Sequence, residues 1–339
     1  MMKIASSILL TLMMASAAWC DSILLRETTN PLECSIVSWS KEGLRVQLKE
    51  QGTQQVVAWH TISSIESDQV GTGFDAHLAR GQMLWRAKIR LQRGDVRLAM
   101  PLFEETFMQL KNAKGDDAFL AAEGMLRCTI AHGNIQASVA PWLAAVRHLD
   151  HGRSSLFPDF SPIIDPTTFL CPHVPPVWET HLVERSISTL KLDNKLMNEF
   201  VDVILGEAGQ NQTLHNGPDF LRNILLLTES DHTQIEDQIE TMSRETALQR
   251  WQLAWIKYTA AKSLMKQGKE SETLALLKLA EVASTYGKEQ PWIAGASMVL
   301  MVEILQSSGK LKASKNIRNE FIRVFPSHPL IRQINAEMD

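Results

Sequence analysis

Apolar residues recur at every second position through much of residues 22–70. The stretch 44–48, for example, reads Leu-Arg-Val-Gln-Leu, and this alternation is typical of strands with one buried face. Gly43 and Gly52 fall between the apolar runs, where glycine permits tight hairpin turns. After Trp59 the apolar spacing widens to three, which indicates a helical turn before a last short strand. The pattern therefore predicts four or five short strands forming a small β-barrel-like domain or a curled sheet.

The apolar spacing changes to that of an α-helix after residue 73, and it continues through residues 74–150 and 181–339. Short turns that contain glycine divide this pattern into units of a helix, a turn and a second helix. The turn glycines are Gly94, Gly133, Gly268 and Gly309. We therefore expect a mainly α protein built from repeated helix pairs behind the small β domain.

Residues 151–180 interrupt the helical pattern. Six prolines fall in this stretch, which excludes a regular helix or a central strand: Pro158, Pro162, Pro166, Pro172, Pro175 and Pro176. The stretch also contains more aromatic residues than a disordered linker would. We expect a Pro-rich insertion that packs along the helices.

The helix pairs resemble tetratricopeptide repeats over residues 80–150 and 250–330. Ala87, Gly94, Ala99 and Phe103 follow the order of small, turn and large apolar positions of that family, and a looser copy ends at Pro326. The resemblance implies an α-solenoid. The turn glycines, however, lie 39 and 41 residues apart, whereas the family repeats at roughly 34.

Two prolines near the turn glycines raise a question about where the second helices begin. Pro101 and Pro141 lie seven and eight residues after Gly94 and Gly133. We expect both second helices to begin late, with proline in their first turn.

The N-terminal strands resemble Src-homology-3-like barrels in architecture only.

The N-terminus predicts export. Lys3 precedes eleven uncharged and mostly apolar residues, and small residues follow at 15–17, so residues 1–18 are typical of a secretory signal peptide. The apolar run is too short to span a bilayer, and we expect a periplasmic or secreted protein without a transmembrane segment. Lipid anchoring at Cys20 is disfavoured because Trp19 precedes it. The disulfide state of Cys20, Cys34, Cys128 and Cys171 and the oligomeric state stay open.

Charge and motifs exclude several functional classes. The net charge is −4 with both signs interspersed, which gives no electrostatic footprint for nucleic acid. Gly71, Gly73 and Ala76 spell a dinucleotide-type turn, but Asp95, at the distance of the ribose ligand, falls in a predicted turn between helices. The histidines lack metal-site spacing. We expect no cofactor and no metal.

Cys171, His173 and Asp165 are the one place where a nucleophile, a base and a carboxylate lie close in sequence. Such a set would suit a hydrolase only if thiolate and imidazole reached hydrogen-bond distance. A packed or disulfide-bonded cysteine is the alternative role. We assign no catalytic residue.

The tetratricopeptide resemblance implies a concave groove lined by the first helix of each pair. Lys88, Gln92, Glu123 and Arg127 are the polar residues that it would place there. Trp251, Trp255 and Tyr258 share one helix face, which predicts core packing. The expected function is a non-catalytic scaffold for protein or peptide partners. The alternatives are a cell-envelope hydrolase with its site near the Pro-rich insertion, and a β module that binds a cell-wall component.

Overall fold

The structure is a computed structural model that describes residues 21–49, 51–67, 74–150, 152–175, 217–228, 230, 232–245 and 248–331, with the single positions 190, 202 and 334. The described chain is mainly helical, with a small antiparallel sheet near its N-terminus. It divides into two compact units, residues 1–82 and 83–339. The predicted signal peptide and the glycines of the dinucleotide-type turn lie outside the described residues.

Five antiparallel strands form the sheet in the order β4-β3-β2-β1-β5. A 3-10 turn at Trp59–Thr61 precedes β5, so the helical turn expected before a last short strand is confirmed. The strands are β1 Asp21–Leu25, β2 Leu32–Ser40, β3 Gly43–Leu48, β4 Gln54–Val57 and β5 Ile62–Glu66.

The expected β-barrel is wrong, because the sheet is open. Closure would require the two outer strands to pair with each other, whereas β4 pairs with β3 and β5 pairs with β1 in the part of the chain described. The outer strands have only four and five residues. The alternating pattern therefore fixed which residues face the core, while closure depended on pairing between the outer strands that alternation does not encode.

The sheet buries its apolar face around Trp59. Ile23, Leu44 and Trp59 are fully buried, and the ring of Phe74 meets the Trp59 ring edge-on with centroids 5.4 Å apart. The Trp59 indole donates a hydrogen bond to the carbonyl of Ser40 over 2.9 Å. Burial of the indole is thus combined with satisfaction of its polar group.

Ten α-helices occur in the described residues, and all four predicted glycine turns are confirmed. Gly94 has φ of 82°, a left-handed conformation that glycine adopts without strain, and the other three turn glycines share it. The helices are α1 Phe74–Gln92, α2 Val96–Leu110, α3 Asp116–Ala131, α4 Val139–Asp150, α5 Gly217–Leu227, α6 His232–Glu245, α7 Arg250–Lys266, α8 Glu272–Tyr286, α9 Pro291–Ser307 and α10 Leu311–Val324.

Neighbouring helices pack on one another in chain order from α2 to α4 and from α7 to α10, and α7 also contacts α5, α6 and α9. The predicted core role of Trp251, Trp255 and Tyr258 is confirmed, since all three are buried. No helix in the described part of the chain has the length and apolar character that a bilayer crossing requires.

The late helix start is right for one proline and wrong for the other. Pro141 is the third residue of α4, which follows a 3-10 turn at Gln136–Ser138. Pro101, in contrast, lies inside α2, which begins at Val96. Pro101 has no N–H, so the carbonyl of Arg97, one turn earlier, lacks its helical hydrogen-bond partner. Arg97 is exposed to water.

Candidate functional site

Residues 152–175, the described part of the Pro-rich insertion, form an irregular loop that packs on the helices, as expected. We call this segment the Pro-rich loop. Its apolar side chains join the same core cluster as helices α2 to α4 and α7. Five buried members are Phe157, Ile163, Ile164, Leu170 and Val174. The loop is therefore part of the folded unit. The polar contacts between the loop and the helices form the candidate site.

Glu123 and Arg127, two of the four predicted groove residues, come together on α3 and hold the loop. The Glu123 carboxylate accepts hydrogen bonds from Arg127 Nη2 at 2.7 Å and from the Ser155 hydroxyl at 2.6 Å. Its second oxygen accepts from the Leu156 N–H at 3.1 Å. Glu123 is only 2% exposed. A charge this deep is tolerated because it is paired and hydrogen-bonded.

Arg127 reaches the loop through its other N–H groups. Its two terminal nitrogens donate to the Ser161 carbonyl at 3.3 and 3.2 Å. The guanidinium carbon lies 5.2 Å from the ring centroids of both Phe157 and Phe160, within the range of cation–π attraction. Glu123 and Arg127, two of the polar residues that the resemblance would place in a groove, thus bind a segment of their own chain.

Lys88 and Gln92, the other two predicted residues, lie half-buried on α1. Neither belongs to the wall of the two cavities described below, whereas Arg127 lines one and Glu123 lines the other. The structure therefore brings together only the two α3 members of the predicted set.

Asp165 organises the far end of the Pro-rich loop. One carboxylate oxygen accepts the backbone N–H groups of Thr167 and Thr168 at 3.0 and 2.8 Å, and both threonine hydroxyls donate to it as well. The other oxygen accepts from Gln249 Nε2 at 2.7 Å. Burial alone would raise the pKa of this carboxyl, but the hydrogen bonds outweigh burial and hold the pKa below its usual value.

Two buried tryptophans fasten the loop backbone. The Trp142 indole on α4 donates to the carbonyl of Phe169, and the Trp255 indole on α7 donates to that of Pro172, both over 3.0 Å. Phe169 has φ of 56°, a conformation unusual for a residue with a side chain. The loop is thus tied to α3, α4 and α7 at separate points.

The structure gives Cys171 and His173 little of what a nucleophile and its base require. Burial raises the pKa of the Cys171 thiol to about 12, whereas a reactive cysteine is a thiolate near neutral pH. Burial, with the nearby positive charge of Arg127, lowers the pKa of His173. The Asp165 carboxylate already accepts hydrogen bonds from Thr167, Thr168 and Gln249. Cys128 and Cys171 carry buried free thiols.

Two cavities flank the loop where it crosses α3. The first is an open groove of about 550 Å³ between the α1–α2 turn, the end of α3 and the loop. The second is a more enclosed cavity of about 310 Å³. Residues that line the open groove include Leu91, Val96, Arg127, Ile130, Asp159 and Phe160. The enclosed cavity is lined by residues including Phe119, Glu123, Leu149, Arg153, Ile164 and Phe169.

Sequence reasoning missed Ser155, Gln249 and the anchoring role of Trp142. The spacing of Asp165, Thr167 and Thr168 is itself a local signal, because aspartate commonly accepts hydrogen bonds from residues two and three positions later. Ser155 and Gln249 carry no such signal, since they lie 32 and 84 residues from their carboxylate partners.

In the residues described, no three His, Cys, Asp or Glu side chains form a group that could hold a metal ion. The chain matches no protein-family model, no curated protein and no solved structure.

Proposed function

We propose that this chain is an exported, non-catalytic scaffold that binds a protein or peptide partner through a tetratricopeptide-like α-solenoid. The observation that carries the proposal is the open groove of about 550 Å³, whose walls combine the α1–α2 turn of one helix pair with α3 of the next. Stacked helix pairs build extended curved surfaces of the kind that bind peptides.

The spacing of the turns is compatible with this proposal. Between Gly94 and Gly133 lie α2 and α3, of 15 and 16 residues. Between Gly268 and Gly309 lie a 3-10 turn at Lys269–Ser271, then α8 and α9, of 15 and 17 residues. The helix lengths and the added turn account for turn spacings longer than those of the tetratricopeptide family. Export rests on the signal-peptide pattern of residues 1–18, and its direct test is fractionation of cells that express the chain with or without those residues.

The chemistry of the groove suits an extended peptide better than a compact ligand. Its floor is apolar at Leu91, Val96 and Ile130, while Asp159 and His173 place polar groups on its loop side. An open groove of this kind accepts apolar side chains and leaves the peptide backbone near water. Arg127 holds the loop that forms one wall of the groove. A change at Arg127 would therefore affect peptide binding through the position of the loop.

Val96 offers a sharp test because it is the first residue of α2 and lines the groove. Val96→Asp puts a charge into the apolar floor, while a carboxylate in the first turn of a helix is favourable for folding. Leu311 is the matched control, since it is the first residue of α10 after the Gly309 turn and is 67% exposed. Leu311→Asp makes the same change away from the groove.

The assay is photo-crosslinking from position 159 in cells, followed by purification through a C-terminal tag and mass spectrometry. We expect the protein and its Leu311→Asp variant to give the same crosslinked partner, and Val96→Asp to reduce its yield at least tenfold. Equal yields from both variants, or no partner crosslinked at position 159, would contradict the proposal.

A further inference from the structure

The enclosed cavity is a second candidate site, distinct from the open groove, although Pro162 and Ile163 line both. Its volume of about 310 Å³ is roughly twice that of an engineered apolar cavity that binds benzene. A group of about two fused aromatic rings therefore fits this space.

The walls of the enclosed cavity are mainly apolar. Phe169 contributes a half-buried ring, and Leu149, Ile164 and Pro166 contribute aliphatic surface, whereas the ring of Phe119 is only 1% exposed. Aromatic and aliphatic walls with few polar groups are typical of sites for small apolar ligands.

The charges at the cavity are already paired within the chain. Glu123 is bound by Arg127, Ser155 and the Leu156 N–H, and Arg153 forms an ion pair with Asp116. A cationic ligand would lose its hydration without meeting an unpaired carboxylate. The Glu123 oxygen that accepts from Leu156 still has one lone pair, which could accept a hydrogen bond from a ligand donor.

The backbone of Phe169 is unusual beside this cavity. Phe169 is the one non-glycine residue with positive φ in the described chain, and it lines this cavity. The Trp142 bond to its carbonyl and the bond from its own N–H to the Asp165 carbonyl hold it there. Strained backbone of this kind persists where the surroundings impose it and concentrates at ligand sites.

We infer that the enclosed cavity binds an uncharged aromatic group of about two fused rings that carries one hydrogen-bond donor. The rings would lie against Phe169, Leu149 and Pro166, and the donor would point to Glu123. Binding here does not depend on the proposed peptide partner.

Indole is the probe, and isothermal titration calorimetry of the purified protein is the measurement. We expect a Kd of about 0.1 mM, which the ligand efficiency of a nine-atom molecule allows. Benzofuran has the same shape without the donor, and tryptamine adds a positive charge. Both should bind at least tenfold more weakly than indole.

Ser154 provides the blocking variant because it is exposed and lies in the cavity wall. Ser154→Trp should fill the entrance and abolish indole binding. Ser284→Trp, at an exposed position on α8, adds the same ring elsewhere and should leave the Kd unchanged. Equal melting temperatures of the two variants establish that any loss is not unfolding.

The source of the group is separated by a second probe, N-acetyl-tryptophanamide, which presents the same ring as a protein side chain. Tighter binding of indole would indicate a free metabolite, and tighter binding of the amide would indicate a tryptophan of a partner. Failure of both to bind, or binding that Ser154→Trp does not reduce, would overturn the inference.

Discussion

Replacing Asp165 with alanine should destabilise the helical unit by an amount that follows from its hydrogen bonds. The carboxylate accepts from Thr167, Thr168 and Gln249, and hydrogen bonds to a charged group contribute about 1.5–3 kcal/mol each. Water can replace the carboxylate at Thr167, which is exposed, but less easily at Thr168, which is buried. We therefore expect Asp165→Ala to lower the free energy of unfolding by about 3 kcal/mol.

That loss converts to a fall in melting temperature of roughly 6–12 °C for a unit of this size. The assay is thermal unfolding followed by circular dichroism, with Asp159→Ala as the control because Asp159 is an exposed carboxylate on the same loop. Asp165→Asn should be nearly as damaging as alanine, since an amide cannot accept hydrogen bonds at both oxygen positions. A melting temperature for Asp165→Ala within about 2 °C of the control would refute the reasoning.

The same variant has a pH signature. Because hydrogen bonding holds the folded pKa of Asp165 below its usual value, its stabilising contribution is present above the unfolded pKa of about 3.9. It is lost as the pH falls through the lower folded pKa. The stability difference between the natural protein and Asp165→Ala should therefore shrink only at acid pH.

Two further changes test the packing and titration of other parts of the helical unit. Gly124→Ala adds a methyl group where the Phe103 ring already lies against α3. This overpacking should lower the free energy of unfolding, measured in urea, by about 1–3 kcal/mol. A neutral or stabilising result would contradict the contact. Burial lowers the pKa of His328. The contribution of neutral His328 to stability is therefore full above about pH 6.5 and is lost as the pH falls from there towards the folded pKa. His328→Gln should flatten the dependence of stability on pH between about 7.5 and 5.5. Parallel curves of stability against pH for the two proteins would contradict this.

The features that the sequence predicted are local ones. A glycine turn such as Gly94 depends on backbone conformation within a few residues, so its position could be predicted from the apolar spacing on either side. The core role of Trp255 follows from helical periodicity in the same way. Barrel closure depends on pairing between the outer strands. The start of α2 at Val96, with Pro101 inside the helix, depends on the exposure of Arg97 to water. Periodicity encodes neither.

The candidate site was predicted only in part for a related reason. Glu123 and Arg127, four residues apart on a helix, form the same ion pair whether they face water or a loop. The contact with Ser155 and Ser161 joins segments more than 30 residues apart. Only the apolar content of the Pro-rich insertion indicated that this segment would pack on the helices.

The Pro-rich loop determines what the helix repeats can offer to a partner. Since Arg127 binds Glu123 and the Ser161 carbonyl, its guanidinium is committed to the chain and contributes little charge to the open groove. A partner would instead meet Val96, Asp159 and Phe160. Changes at Arg127 should thus act by releasing the loop, which alters both cavities at once, whereas changes at Val96 and Ser154 should act on one cavity each.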